Sequence, residues 1–235
     1  MFNSEEIKKY LYFDVETVSM YKNIEDLKRN DERLYHLWKR RELYYISTYE
    51  EMKGKSEDEV YQAKAGLEPE FSRIVCVSFG SFTDEGPGSR KFISFYGEDE
   101  ADILKNTHKV LSNANTKNWK LCGHNIKGFD VPCVGKRMIY NGINPPVNLN
   151  IWSKKPWDLP YMDTSEIFAF GSWSHQKYLS LDLLACSLGV SSPKENMNGS
   201  MVNDYFWNKK DYDSIKEYCE MDVDTVMKVM EKVCF

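Results

Sequence analysis

No apolar run in this 235-residue chain approaches the length needed to cross a membrane, and no repeated or low-complexity segment interrupts it. No Cys-x-x-Cys pair occurs among the six cysteines, Cys76, Cys122, Cys133, Cys186, Cys219 and Cys234, which are scattered through apolar stretches. That argues against a zinc site and against a disulfide framework. It reads the thiols as small core residues in a reducing, cytoplasmic setting. The first residues, Met1 to Lys8, are polar and mixed in charge, so no signal peptide is expected. Positive charge is not in excess either. Thirty-one Lys and Arg against 36 Asp and Glu leave a formal net charge of −5, which speaks against a nucleic-acid coat over the whole surface but not against a local groove. What the chain does have is 42% hydrophobic and 14% aromatic residues, enough for a sizeable core and too much for global disorder.

The most informative run is Leu11-Tyr12-Phe13-Asp14-Val15-Glu16-Thr17. It reads as a strand, and alternation puts both carboxylates on one face. Adjacent like charges repel, and a divalent metal compensates them economically, because hard cations prefer clustered carboxylate oxygens. A strand with a wet polar face is the bland alternative, and Asp-x-Glu alone does not decide.

Residues 20–65 are rich in charge and Tyr, contain no proline and space Leu27, Leu34, Leu37 and Trp38 helically. One or two amphipathic helices are expected, as an insertion in the sheet order or a cap. Lys39-Arg40-Arg41 inside them is either a solvated face or a phosphate-contacting patch. Beyond Pro69, strands are predicted over 73–79 and 91–96, joined through a turn at 84–88. A helix over 99–113, a short strand over 120–122 and a helix over 129–140 follow. Residues 144–162 are expected to be loop. Asp163-x-x-Glu166 has the form of a capping box opening a short helix. Another helix is predicted over 180–188, with loop over 191–199. A last helix, capped by Asp211 or Asp213, runs to about Val233. The order implies one mixed α/β domain spanning 1–235.

On the last helix Ile215, Cys219, Val226, Val229 and Val233 form an apolar stripe, and Asp222 falls on it. A carboxylate turned toward a core costs several kcal/mol unless it is paired or binds metal. Tyr218, four residues earlier, lies on the same side. Tyr10/Asp14 and Tyr178/Asp182 share this spacing. The first runs into a strand, and Asp182 sits in a first helical turn where capping explains it. A third piece, Asn125-Ile126-Lys127-Gly128-Phe129-Asp130, lies where a strand gives way to a helix, a common location for site residues. Asp130 is either such a residue or a helix-terminal carboxylate. Gly123 and Gly128 suggest unusual backbone or close approach by a ligand. His124 is either a ligand or, the favoured reading, a satisfied structural histidine.

Asp-x-Glu early, Asn-x-x-x-Phe-Asp in the middle and Tyr-x-x-x-Asp late resemble the DEDD superfamily of 3′→5′ exonucleases in its tyrosine-containing branch. Pro69 to Val75, Cys122 to Asp130, Lys155-Pro156-Trp157, Ser180 to Leu184 and Ser192-Pro193-Lys194 are similar to stand-alone exonucleases related to the proofreading domain of family B DNA polymerases. Ser72 stands where glycine is expected. The resemblance covers nearly the whole chain and implies a ribonuclease-H-like α/β fold, a mixed sheet flanked by helices. It implies two divalent ions, Mg²⁺ or Mn²⁺, with Asp14, Glu16 and Asp222 on the first, Asp14 bridging to the second, and Asp130 supporting that one. Tyr218 would orient or help deprotonate the attacking water. Thr17, through its backbone, and Asn125 would contact the nucleotide, and Phe129 would pack in the core. The implied partner is a single-stranded nucleic-acid 3′ end, DNA favoured, with a DNA polymerase in trans, and repair or replication as setting. Lys127, Lys154, Lys155, Lys194 and the aromatic loop are candidate contacts, and residues 20–65 a candidate lid. The rival readings are an exoribonuclease of the same fold, a noncatalytic nucleic-acid-binding polymerase accessory module, and a transposase or ribonuclease H.

Overall fold

A computed structural model describes residues 3–85, 88–149, 151, 154–155, 158–169, 179–191 and 197–234. Pro156, Trp157, Tyr178, residues 192–194, and the middle of the turn expected at 84–88 lie outside the described residues.

After a short helix α1 (Ser4–Ile7), strand β1 (Tyr10–Ser19) runs through the middle of the sheet. Its alternation is read by two different cores. Leu11, Phe13 and Val15 belong to one apolar cluster, while Tyr10 and Tyr12 belong to another. A strand buried on both faces in this way must be covered by helices on both sides.

The segment that follows β1 is helical. Helices α2 (Ile24–Asn30), α3 (Glu32–Thr48) and α4 (Glu57–Lys64) form, with single 3₁₀ turns at Glu50–Met52 and Ala65–Leu67. Three helices rather than one or two arise because side-chain caps punctuate the run. Asn23 accepts from the Asp26 N–H at 2.8 Å, Asp31 from the Leu34 N–H at 2.8 Å, and Ser56 closes a full capping box with Glu59. The helices have their own core around Trp38, which meets Tyr61 and Phe71 edge-on at centroid distances of 5.1 Å.

Strand β2 (Ser72–Phe82) returns antiparallel to β1, and β3 (Arg90–Tyr96) pairs antiparallel with β2 at the sheet edge. Helix α5 (Glu100–Thr116) leads to β4 (Lys120–Gly123), parallel to β1 on its other side. Helix α6 (Asp130–Tyr140) follows, then β5 (Tyr161–Asp163), parallel to β4. The sheet order is therefore β3-β2-β1-β4-β5. β5 falls in the stretch expected to be loop. Three residues are too few to show a period of two, and the strand is held by its pairing and by the Tyr161 hydroxyl donating to the Asn148 carbonyl at 2.8 Å.

Helix α7 (Thr164–Ala169) starts directly from β5, and α8 (Leu181–Ser187) ends before Gly189, whose φ of +65° suits glycine. Before the last helix come a 3₁₀ turn at Gly199–Met201, helix α9 (Val202–Asp204) and a π turn at Tyr205–Lys209. Asp211 then caps α10 (Tyr212–Lys232), accepting from the Ser214 N–H at 3.1 Å.

α5 and α6 cover the Leu11/Phe13/Val15 face, and α8 and α10 cover the opposite face. Glu100 on α5 and Arg137 on α6 form a buried ion pair on the first side. Glu100 also accepts from the Ile74 N–H on β2 at 2.7 Å, so one carboxylate ties α5, α6 and the sheet together. No described helix is long and apolar enough to cross a membrane.

Candidate active site

Beyond Tyr12, the even-numbered face of β1 turns from phenol to acid: Asp14 and Glu16 follow on the side that α10 covers. The pairing between β1 and β2 shifts register between Glu16 and Thr17, so the strand is irregular where its acidic pair ends. α10 crosses this face with Tyr218, Cys219 and Asp222 all buried. The Cys219 thiol lies 3.4 Å from the Asp14 carbonyl and donates toward Asp14 Oδ2 at 3.5 Å, which fixes the helix against the strand.

Asp130 arrives from a different direction. It is the first residue of α6 and 3% exposed, and its Oδ1 accepts from the Val15 N–H at 3.2 Å. It thus binds the backbone of β1 between Asp14 and Glu16. Phe129 packs against the core beneath it.

Electrostatics bind the four acids into one set. Burial drives the Asp14 carboxyl well above the usual carboxylate range, and Asp130, Glu16 and Asp222 push it further in that order. Burial likewise lifts Asp130 to about 7, against the pull of backbone N–H groups, with Asp163 and Asp222 adding to the rise. The Tyr218 phenol is pushed far up by burial, then by Asp222, Glu16 and Asp14, and it is hydrogen-bonded to Asp222. Among the described residues no ion pair reaches Asp14 or Asp130.

A cluster that resists ionisation is a cluster that suits a cation. Asp14, Glu16 and Cys219 present ligand atoms all within 4.8 Å of one another. The carboxylate oxygens match a hard divalent ion, and the thiol adds a softer donor at the inner edge. The residues present therefore fit divalent metal.

The structure brings Asp14, Glu16, Asp130, Tyr218 and Asp222 together. Thr17 follows directly along β1, and its hydroxyl donates to the Gly66 carbonyl at 2.7 Å, at the end of the helical segment. Asn125 lies in the turn before α6 with a φ of +56°. His124 is structural: its Nδ1 is 2.8 Å from the Thr164 hydroxyl and its Nε2 2.6 Å from the Leu179 carbonyl. Lys127 is ion-paired with Glu166 at 2.6 Å, and Lys154 and Lys155 are exposed. Lys194 lies outside the described residues.

Two residues near the site escape a reading of sequence. Cys219 looks like one more member of an apolar stripe. Asp163 looks like half of a capping box with Glu166, and it does open α7, its Oδ1 accepting from the Ser165 N–H at 3.0 Å. Asp163 also ends β5, and the Glu166 carboxylate turns to Lys127. The only signal for either is three-dimensional, since Asp163 pairs with Gly123 at the parallel end of the sheet.

Residues 66–230 match a family described as "Predicted 3'-5' exonuclease related to the exonuclease domain of PolB". Among solved structures the chain is similar to the family B DNA polymerase of the hyperthermophilic archaeon Pyrobaculum calidifontis, at 16% identity and a TM-score of 0.54, over 95% of this chain and 24% of the polymerase. It is also similar to a product-bound exonuclease I, at 12% identity and a TM-score of 0.49, over 95% of this chain and 42% of that one. A third similarity is to E. coli exonuclease I in complex with a dT13 oligonucleotide, at 12% identity and a TM-score of 0.48, over 95% of this chain and 40% of that one. The chain thus spans a quarter to two fifths of the length of these proteins. No curated protein matches it significantly. The polymerase likeness, with the sheet order above, shows the ribonuclease-H-like fold.

Proposed function

The chain belongs to the family of predicted 3′-5′ exonucleases related to the exonuclease domain of PolB, and on that premise we propose that it removes nucleotides from the 3′ end of single-stranded DNA, releasing nucleoside 5′-monophosphates. The observation that carries this reading is the convergence on Asp14 of three further carboxyl groups, from its own strand, from α6 and from α10. A fold has no stabilising use for four acids in one buried place. A phosphodiester hydrolase does.

Asp14, Glu16 and Asp222 would hold one divalent ion, Mg²⁺ or Mn²⁺, and Asp14 with Asp130 would hold a second. Bound ions supply charge stabilisation for the attacking and leaving oxygens of an in-line displacement. The remaining work falls to the chain. Tyr218, kept a neutral phenol by its burial among acids, orients the attacking water by hydrogen bonding rather than by taking its proton. The Thr17 backbone and the Asn125 amide hold the terminal nucleotide. α10, clamped to β1 through Cys219, sets Tyr218 and Asp222 at a fixed height above Asp14 and Glu16.

The test is digestion of single-stranded and 3′-recessed DNA oligomers labelled at the 5′ end, beside an RNA of the same sequence. Each is run with Mg²⁺, with chelator, and with Asp14→Ala. A descending ladder on single-stranded DNA that chelator and Asp14→Ala both abolish is expected. Undiminished cleavage by Asp14→Ala would refute the site, and faster cleavage of the RNA would refute the substrate.

A further inference from the structure

Asp163 is 3% exposed and takes no part in the hydrolysis proposed above. A carboxylate at that depth costs several kcal/mol unless its oxygens are satisfied. Here they are satisfied by N–H and O–H groups. Oδ1 accepts from the Asn125 N–H at 2.8 Å, the Ser165 N–H at 3.0 Å and the Ser165 hydroxyl at 2.7 Å. Oδ2 accepts from the Lys127 N–H at 3.2 Å. The two bonds to Ser165 are ordinary helix-start contacts. The two bonds to Asn125 and Lys127 reach across to a different segment and are not needed for capping.

That segment is a tight turn. Asn125 stands at φ +56°, a left-handed conformation uncommon outside glycine and best tolerated by asparagine. The Asn125 carbonyl accepts from the N–H groups of Gly128 and Phe129, each at 3.0 Å, closing the turn onto the start of α6. The Asn125 side chain folds over Gly128, where any Cβ would collide with its Oδ1. His124 and Lys127 have their side chains engaged within the protein. The Asn125 amide makes no hydrogen bond among the described residues, so the turn holds one amide ready for a group from outside.

We infer that Asp163 is a positioning residue: its carboxylate holds the 125–128 turn in the shape that presents the Asn125 amide to the 3′-terminal nucleotide. This rests on the hydrolase reading and adds the residue that acts through Asn125.

A double-mutant cycle tests it. Asp163→Asn replaces one acceptor oxygen by a donor, and Asp163→Ser supplies a second variant should the first fold poorly. Each is combined with Asn125→Ala, and kcat and KM on single-stranded DNA are measured separately, with thermal melting alongside. Asp163→Asn is expected to raise KM about tenfold, as fits the loss of one charge-assisted hydrogen bond, with a smaller change in kcat. In the Asn125→Ala background the same change should add little, because both act through one amide. Ser165→Ala, which removes only a helix-start contact, should leave KM unchanged. An active enzyme whose KM is untouched by both Asp163 variants, or whose two effects add in full, overturns this inference alone. A wild type that cleaves nothing and binds no oligomer overturns the hydrolase reading, and this inference with it.

Discussion

Asp14 is surrounded by charge of its own sign, and the first consequence is thermodynamic. The folded chain holds Asp14 and Asp130 at raised pKa values, with Asp130 at about 7, whereas the unfolded chain returns them to about 3.9. Between those values the native state binds more protons than the unfolded state, so stability falls as pH rises across that window. Metal-free protein should therefore show a lower urea midpoint at about pH 8 than at about pH 5. Asp130→Asn should flatten the dependence, and added Mn²⁺ should restore the midpoint at the higher pH. A midpoint that climbs with pH would contradict the electrostatic description of the cluster. A second residue-scale expectation concerns Tyr218. Tyr218→Phe keeps the ring and removes the hydroxyl, and it should lower kcat about 10²-fold with a much smaller effect on KM. A tyrosine that only packs would leave kcat intact.

Among the elements, α5 and α6 depend on one ion pair. Glu100 accepts from Arg137 Nε at 2.8 Å, from Asn141 Nδ2 at 3.1 Å and from the Ile74 N–H, and Arg137 Nη1 donates to the Pro69 carbonyl at 3.1 Å. Glu100→Ala leaves a guanidinium buried without its partner, which typically costs ~3–5 kcal/mol. Urea denaturation should register a loss of that order, and replacing both residues by apolar ones of similar size should recover much of it. β2 and α10 approach closely at Gly80, where an added Cβ would lie 2.7 Å from both Met227 Sδ and Val223 Cγ1. Gly80→Ala should therefore destabilise by ~1–3 kcal/mol through overpacking. Elements are also where sequence is most and least legible. β1, α6 and α10 could be read because their chemistry and period coincide: Asp222 is conspicuous on an apolar stripe, and Asp14 and Glu16 share one strand face. β5 is too short to have a period. Asp163 was hidden because its place at the start of α7 already accounts for a carboxylate, while its other partners, Asn125 and Lys127, are 38 and 36 residues away. Cys219 was hidden because a thiol on an apolar stripe needs no explanation until Asp14 is seen beside it.

Across the whole molecule, the helices between β1 and β2 form a second body with its own core. Trp38 is fully buried there against Tyr45, Tyr61 and Phe71. Trp38→Ala should cost ~3–5 kcal/mol, as large-to-small changes in cores do. Hydrogen exchange should rise first in residues 24–67 while β1 and β2 stay protected, if the two cores open separately. Uniform loss of protection would show a single cooperative unit. The sequence identified this segment as helical but not as three capped helices, because a cap is one residue while the period around it is continuous.

The distance along the chain between Asp14 and its clamp on α10 is 205 residues. During synthesis the strand with Asp14 and Glu16 emerges first, and the helix that brings Tyr218, Cys219 and Asp222 emerges near the end of the matched region. Contacts so far apart in sequence form late, because a large loop must close before they can. At least 205 residues of synthesis therefore separate the acidic strand from the helix that completes its cluster. The four carboxyl groups meet only once α10 has settled onto β1.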